Sequence, residues 1–377
     1  MMLRNEVFDA NFKRLGILEK FTYSQYIENW KESGTFTIKC PGIEENIALL
    51  KDDNIIWFED DVAGVIQNVV IDSSEQSVIT ANGCLLDGIL DWRYIYPVFN
   101  YTGKVDEIMN EAVNINCVSN GDAKRNFEHL EIESTETSLP SISKQKTGGT
   151  VLEFESELAN AYLCGFRIGF YPKEKKMKFK VIEGVDRSIH STLIGGKVIF
   201  SESLNNIKSA TYTNDRSSYR NVTLIAGEAT VGSRSYVVVT DDGREEKSGF
   251  ARRELYTDAR DLQSETVDED GNEITLDAEA YQSNLTTRGK EKLSECIVKE
   301  YLESDVRSDV TSAYQYKRDY DIGDIVTVIN ESLDLTADVR VTSVTVTQDT
   351  NGYSVTPTLG DAQPTLYSVL KKKGVVI

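Results

Sequence analysis

The chain has 377 residues, 40% of them hydrophobic, which is enough for two or three cored domains and too apolar for a disordered chain. Its 41 basic and 61 acidic side chains leave a formal net charge of −20, which repels nucleic acid over most of the surface and argues against a DNA-reading module. No stretch approaches the ~20 apolar residues of a membrane-spanning helix, and residues 1–10 carry Arg4, Glu6 and Asp9 without an apolar signal core, so neither stable membrane insertion nor a secretory leader is expected.

Most of the chain reads as strands. Thr35-Phe36-Thr37-Ile38-Lys39 alternates, and residues 69–79 form two alternating arms around a polar turn at residues 72–76. Val105, Ile108, Met109, Ala112 and Val113 share one helical face. Residues 139–149, rich in Ser, Thr, Lys and Gly, read as an exposed loop. A second helix is expected over residues 151–163, with Glu153, Glu155 and Glu157 early, where the helix dipole favours them, and an end near Gly165. Short β-branched runs follow at residues 236–239 and 325–329. Between them lies a third helix over residues 278–300, with a stripe of Tyr281, Leu285, Leu293, Cys296 and Ile297 interrupted by Gly289. Asp242-Gly243, Asp270-Gly271 and Asn351-Gly352 mark hairpin turns.

One pattern occurs twice. Residues 53–58, 63–71 and 77–80, closed by Gly83, read as short strand, loop, long strand, polar turn and strand. Residues 323–328, 337–347 and 353–356, closed by Gly360, repeat that order with little identity. A duplication would place two related β modules around an insertion. The fold class expected is therefore mainly β with an α/β insertion (α+β). Its divisions are a first β module at 1–98, an inserted α/β domain at 99–195, a strand-rich and helical connecting domain at 196–304, and a second β module with a C-terminal tail at 305–377. Residues 1–98 hold 8 basic and 16 acidic side chains, residues 99–195 hold 12 and 14, and residues 196–377 hold 21 and 31. The acid sits with the two modules and largely spares the insertion.

The chemistry the sequence can support is thin. Cys40, Cys84, Cys117, Cys164 and Cys296 are odd in number and widely spaced, as small buried thiols of a reduced protein are. His129 and His190 have no ligand-spaced neighbours, so no metal site is expected. A Cys–His nucleophile would need Cys117 or Cys164 to meet His129 or His190 in space. Ser141-x-x-Lys144 matches a serine-nucleophile motif, with Pro140 beside it and no companion motif. An EF-hand reading around Gly271 puts Thr266 first and Asp277 twelfth, which loses the first ligand and the bidentate Glu; a hairpin explains it better. The pairs Glu44-Glu45, Asp52-Asp53 and Asp60-Asp61 read as solvated loops, and Lys371-Lys372-Lys373 as a frayed tail. No catalytic, cofactor-binding or metal residue is assigned, no cofactor is expected, and the chain is expected not to be an enzyme.

An ordered series of short motifs runs through residues 10–360. It comprises Phe12-Lys13-Arg14-Leu15-Gly16-Ile17-Leu18, Gly34-Thr35-Phe36-Thr37-Ile38, Gly64-Val65-Ile66, Ala81-Asn82-Gly83-Cys84-Leu85-Leu86 and Arg93-Tyr94-Ile95-Tyr96-Pro97. It continues through Gly184-Val185-Asp186-Arg187-Ser188, Phe200-Ser201, Asn205-Asn206, Tyr219-Arg220-Asn221-Val222, Gly227-Glu228, Arg252-Arg253-Glu254 and Arg288-Gly289, and closes at Tyr320-Asp321-Ile322-Gly323-Asp324-Ile325-Val326. In this series the chain resembles the tail-associated hub proteins of siphophages, related to the central baseplate hub of contractile tails.

The resemblance implies two tube-like β-barrel or sandwich modules per chain and a homotrimeric ring joining the sixfold tail tube to a threefold tip. It implies as partners the chain itself, the distal tail or tail tube protein ring, and a central spike, tape-measure or receptor-binding tip protein. Genomic DNA would be passing cargo, gated by the ring. The location implied is the virion tail tip of a phage or phage-like particle, after assembly in the host bacterial cytoplasm. Some such hubs carry a C-terminal hydrolase, and none is visible by Ile377. The competing readings are a cell-wall (peptidoglycan) hydrolase and a carbohydrate-binding β protein using Trp30, Trp57, Trp92 and the 18 tyrosines; core packing is the preferred account of those aromatics.

Overall fold

The computed structural model describes residues 3–18, 20–72, 77–192, 195–204, 206–230, 233–240, 248–267, 273–306, 312–331 and 335–360. The expected turns at Asp242-Gly243 and Asp270-Gly271, most of that at residues 72–76, and the Lys371-Lys372-Lys373 tail lie outside them. Strands dominate. The chain forms two compact units, one of residues 1–89, 165–214 and 300–377, the other of residues 90–164 and 215–299.

Among the described residues, the first unit is built on one eleven-stranded sheet. The strand Tyr23–Asn29 turns Ser24, Tyr26 and Glu28 inward, and its neighbour Thr35–Pro41 turns in Phe36, Ile38 and Cys40. These meet Phe58, Ile66, Ile79, Val328, Val339, Val344, Val346 and Leu359 in a single core. A two-residue side-chain period over each strand gives that burial directly.

The sequence repeat is present as two three-stranded antiparallel meanders. The first is Ile55–Glu59, Val62–Asp72 and Val78–Leu85; the second is Ile325–Asn330, Leu335–Asp349 and Gly352–Gly360. Their registers step together. Ile55 faces Val65 as Ile325 faces Arg340. The long strand then bulges between Ile66 and Asn68 in one and between Val341 and Ser343 in the other. Ile66 faces Gly83 as Val341 faces Leu359. An inserted residue at the same step is a constructed feature of a sheet. The closing glycines are one step apart, since Gly360 faces Arg340 while Gly83 faces Ile66. The two meanders were expected as two tube-like β-barrel or sandwich modules. Both instead lie in one continuous sheet, because Thr35–Pro41 pairs with the first meander and Tyr23–Asn29 with the second; no closed barrel occurs among the described residues.

In the second unit, Val105–Val113 buries its predicted face completely. Val151–Tyr162 starts at a capping box, in which Thr150 Oγ1 accepts from the Glu153 N–H and the Glu153 carboxylate accepts from the Thr150 N–H. The three glutamates have different fates. Glu153 caps, Glu157 accepts from Lys146 at 2.6 Å, and Glu155 is buried with both oxygens unpartnered.

Ala278–Ser294 packs against the sheet of Val222–Thr230, Ser233–Thr240 and Glu254–Asp258. This helix ends before the expected residue 300. The Cys296 carbonyl leaves it to accept from the Arg220 N–H, the β-branched pair Ile297-Val298 follows, and the strand Lys299–Val306 begins. Gly289 is where the helix crosses the sheet, as a Cβ there would stand 2.7 Å from Val239 Cγ2.

Residues 141–146, expected in a loop, form the strand Ser141–Lys146 paired with Phe99–Lys104. Their polar composition misled because Lys144 points inward with its charge balanced by Glu291.

Candidate functional site

The motifs that promised chemistry are used structurally. Ser141 is exposed and Lys144 is buried. Three residues apart on a strand, they point to opposite faces, so they cannot act as a nucleophile and base. Thr266 lies in the strand Glu265–Val267, paired antiparallel with Glu273–Thr275. Asp277 caps the third helix, its Oδ1 accepting from the Ala280 N–H at 2.8 Å. Cys117 is fully buried and burial pushes its thiol up to about 12, the reverse of nucleophile activation. Cys164 is buried with its Sγ 3.8 Å from Met109 Sδ, and all five cysteines are thiols. His129 and His190 belong to different units; His190 Nδ1 lies 2.5 Å from Asp338. Trp30 is core, Trp57 packs by Phe8 and Phe170, and Trp92 is partly exposed.

What the first unit does contain is a partly buried network of balanced charge. Arg167 and Lys180 face each other across the hairpin Gly165–Tyr171 and Lys176–Ile182. Directly opposed like charges destabilise a hairpin. Here Asp61 stands between them, 3.6 Å from each. Arg167 also reaches Asp321 at 3.3 Å, and Lys317 binds Asp321 at 3.2 Å and Glu28 at 3.1 Å. The Tyr316 hydroxyl donates to Glu28 at 2.8 Å. Three cations thus meet three carboxylates.

Burial opposes ionisation of Asp61 and Asp321, yet the surrounding Lys317 and Arg167 hold both carboxyls below their usual range. Two nearby carboxyls go the other way. Burial raises Glu59, although it accepts from the hydroxyls of Tyr26 at 2.5 Å and Tyr353 at 3.1 Å. Burial lifts Asp87 to about 7, although Ser33 and the Gly34 N–H donate to it.

The network pins residues 28, 61, 167 and 321, far apart in sequence, to one place. Of its members, Asp61 had been read in the sequence as a solvated loop residue, and Asp321 only as part of the motif Tyr320-Asp321-Ile322-Gly323-Asp324-Ile325-Val326. Glu28 carried no signal, since its strand Tyr23–Asn29 has Ser24, Tyr26 and Glu28 at its inward steps and does not alternate in polarity. The cations carried none until their strands were paired. Among the described residues no group of His, Cys, Asp and Glu is arranged to hold a metal ion. The arrangement braces the fold of the first unit.

The sequence matches, over residues 4–361, the family described as Siphovirus ReqiPepy6 Gp37-like protein. No curated protein matches it. Among solved structures it is similar to tail protein gp18 of a Listeria monocytogenes prophage, at 14% identity, 98% coverage of each chain and a TM-score of 0.53. It is similar to the 43 kDa tail protein of prophage MuSo2 from Shewanella oneidensis, at 17% identity over 94% of this chain and 98% of that one, with a TM-score of 0.54. It is also similar to a tail protein from Neisseria meningitidis MC58, at 12% identity over 96% and 97%, with a TM-score of 0.55. These likenesses establish a shared fold. The match over nearly the whole sequence goes further: the chain belongs to the siphovirus Gp37-like tail protein family.

Proposed function

We propose that this tail protein is the structural hub of a phage or phage-like tail tip, non-enzymatic, and assembled as a homotrimeric ring at the distal end of the tail tube. The observation that carries the reading is the pair of meanders with bulges at matched steps. Two equivalent modules per chain give a trimer six, which is what a threefold ring needs in order to meet a sixfold tube. The tail tube or distal tail ring then stacks on one side. A central spike, tape-measure end or tip protein binds on the other, and the ring gates DNA passage. A net charge of −20 suits a channel through which phosphates slide without sticking.

The test is the mass of the full chain in solution across concentration, by light scattering, followed by electron microscopy. The expected outcome is a species of three chains and a ring with an open centre. A chain that remains monomeric at every concentration, or that closes as a dimer, overturns the ring.

A further inference from the structure

The two meanders are alike in register but not in company. In the second, the long strand Leu335–Asp349 is paired on both edges beyond its bulge. Ser343 faces Thr358 on one side and Asn29 on the other, and Val346 faces Val355 and Tyr26. In the first, the equivalent residues 68–71 pair with Val78–Leu85 on one edge only. The strand Ile55–Glu59 covers the other edge only as far as Val65, just as Ile325–Asn330 covers its neighbour only as far as Arg340. Among the described residues nothing takes the place that Tyr23–Asn29 fills in the second meander.

Burial reports the same vacancy. Counted from the bulge, Ile71 stands where Val346 stands. Val346 is 0% exposed and Ile71 is 50% exposed, with Val70 beside it at 52%. The vacant edge reads Asn68-Val69-Val70-Ile71, with no Lys or Pro and with a single charge, Asp72, at the end of the strand.

The filler of the second meander is part of a ribbon. Tyr23–Asn29 pairs with Thr35–Pro41, which in turn lies on the outer edge of Val78–Leu85. The ribbon therefore bridges the last strand of one meander to the long strand of the other. A second two-stranded ribbon, Ile207–Asp215 with Lys299–Val306, precedes the second meander in the sequence as the first ribbon precedes the first meander. Among the described residues its strands pair only with each other, and the outer edge of Gly352–Gly360 takes no strand.

We infer that the ribbon Ile207–Asp215/Lys299–Val306 of one copy bridges the outer edge of its own Gly352–Gly360 to residues 68–71 of the next copy, with Ile207–Asp215 adding as the missing strand. This joint rests on the ring reading and gives it its contact. It repeats between chains the bridge already made within the chain. It is heterologous, one copy's edge against a different edge of its neighbour, and such a contact makes a ring when its rotation closes on itself. Backbone pairing supplies the attachment, and covering the half-exposed Ile71 side chain, at the step where Val346 is fully covered, supplies the register.

The experiment uses the full chain. Amide hydrogen exchange is compared between dilute and assembled protein, and association is measured by mass for the wild type and for Ile71→Lys. The joint predicts protection gained on assembly at residues 68–71 and in Ile207–Asp215. Because Ile71 is half exposed in the single chain, Ile71→Lys should fold with an unchanged melting curve and associate at least about tenfold more weakly. If the chain assembles with no protection gained at residues 68–71, or if Ile71→Lys assembles like the wild type, the joint is overturned and the ring survives. If the wild type never assembles, the ring falls, and the joint with it. Should Ile71→Lys fail to fold, the exchange comparison on the wild type decides alone.

Discussion

Lys144 and Glu291 make the plainest buried ion pair of the second unit, 2% and 4% exposed and in contact. Burial lowers the Lys144 pKa and Glu291 opposes that loss. Removing one partner leaves the other's charge uncompensated, so Lys144→Met should cost about 3–5 kcal/mol in urea unfolding, and the double variant Lys144→Met/Glu291→Met should recover most of it. A single variant as stable as the wild type would mean the pair holds nothing together.

Asp87 gives a pH prediction. Its folded pKa, about 7, is raised above the usual aspartate value of about 4. The folded state therefore holds the proton more tightly, and stability falls as pH rises from about 4 to about 7. Asp87→Asn keeps an acceptor for Ser33 and the Gly34 N–H and cannot ionise. It should remove that slope and be more stable than the wild type at pH 8, by on the order of 2–4 kcal/mol. Parallel stability curves for the two proteins from pH 5 to 8 would refute the assignment.

The helix Ala278–Ser294 shows how a local rule yields to packing. Gly289 costs the helix about 1 kcal/mol relative to Ala. It stays because the helix lies against Val239 and Ile225, whose side-chain atoms stand 2.7 Å and 3.1 Å from where a Cβ would be. Both neighbours are β-branched and cannot swing aside. Gly289→Val should therefore destabilise by about 1–3 kcal/mol in chemical denaturation, in spite of removing a glycine. A stabilised variant would show that the crossing has slack.

Among the strands, alternation over residues 35–39 made inward and outward residues legible before any pairing was known, whereas Tyr23–Asn29 turns in Ser24, Tyr26 and Glu28, a set with no apolar alternation to mark it. Ser141–Lys146 was not legible. A lysine at an inward step reads as surface until the glutamate 147 residues away is brought to it.

For the whole molecule, charge sets the terms of assembly. Copies that each carry −20 repel one another at long range. Salt screens that repulsion, with a Debye length of about 10 Å at 0.1 M against about 30 Å at 0.01 M. Self-association measured by light scattering should therefore strengthen as salt rises from about 0.01 M to about 0.1 M. Weakening over that range would mean that opposite charges across the interface dominate.

The sequence by itself determined the strand-rich class, the helical face at Val105–Val113, the helix over Val151–Tyr162, the repeated meander and the ordered motifs of a tail protein family. Each of these is a pattern of near neighbours, and side-chain periodicity records it directly. The tertiary structure alone decided that both meanders share one sheet, that Arg167, Lys180 and Asp61 converge, and that, among the described residues, the edge at residues 68–71 takes no strand where its twin is filled. Those facts depend on which strands lie side by side, and strand pairing joins residues hundreds of positions apart, such as Val346 and Tyr26, whose spacing leaves no periodic mark on the chain.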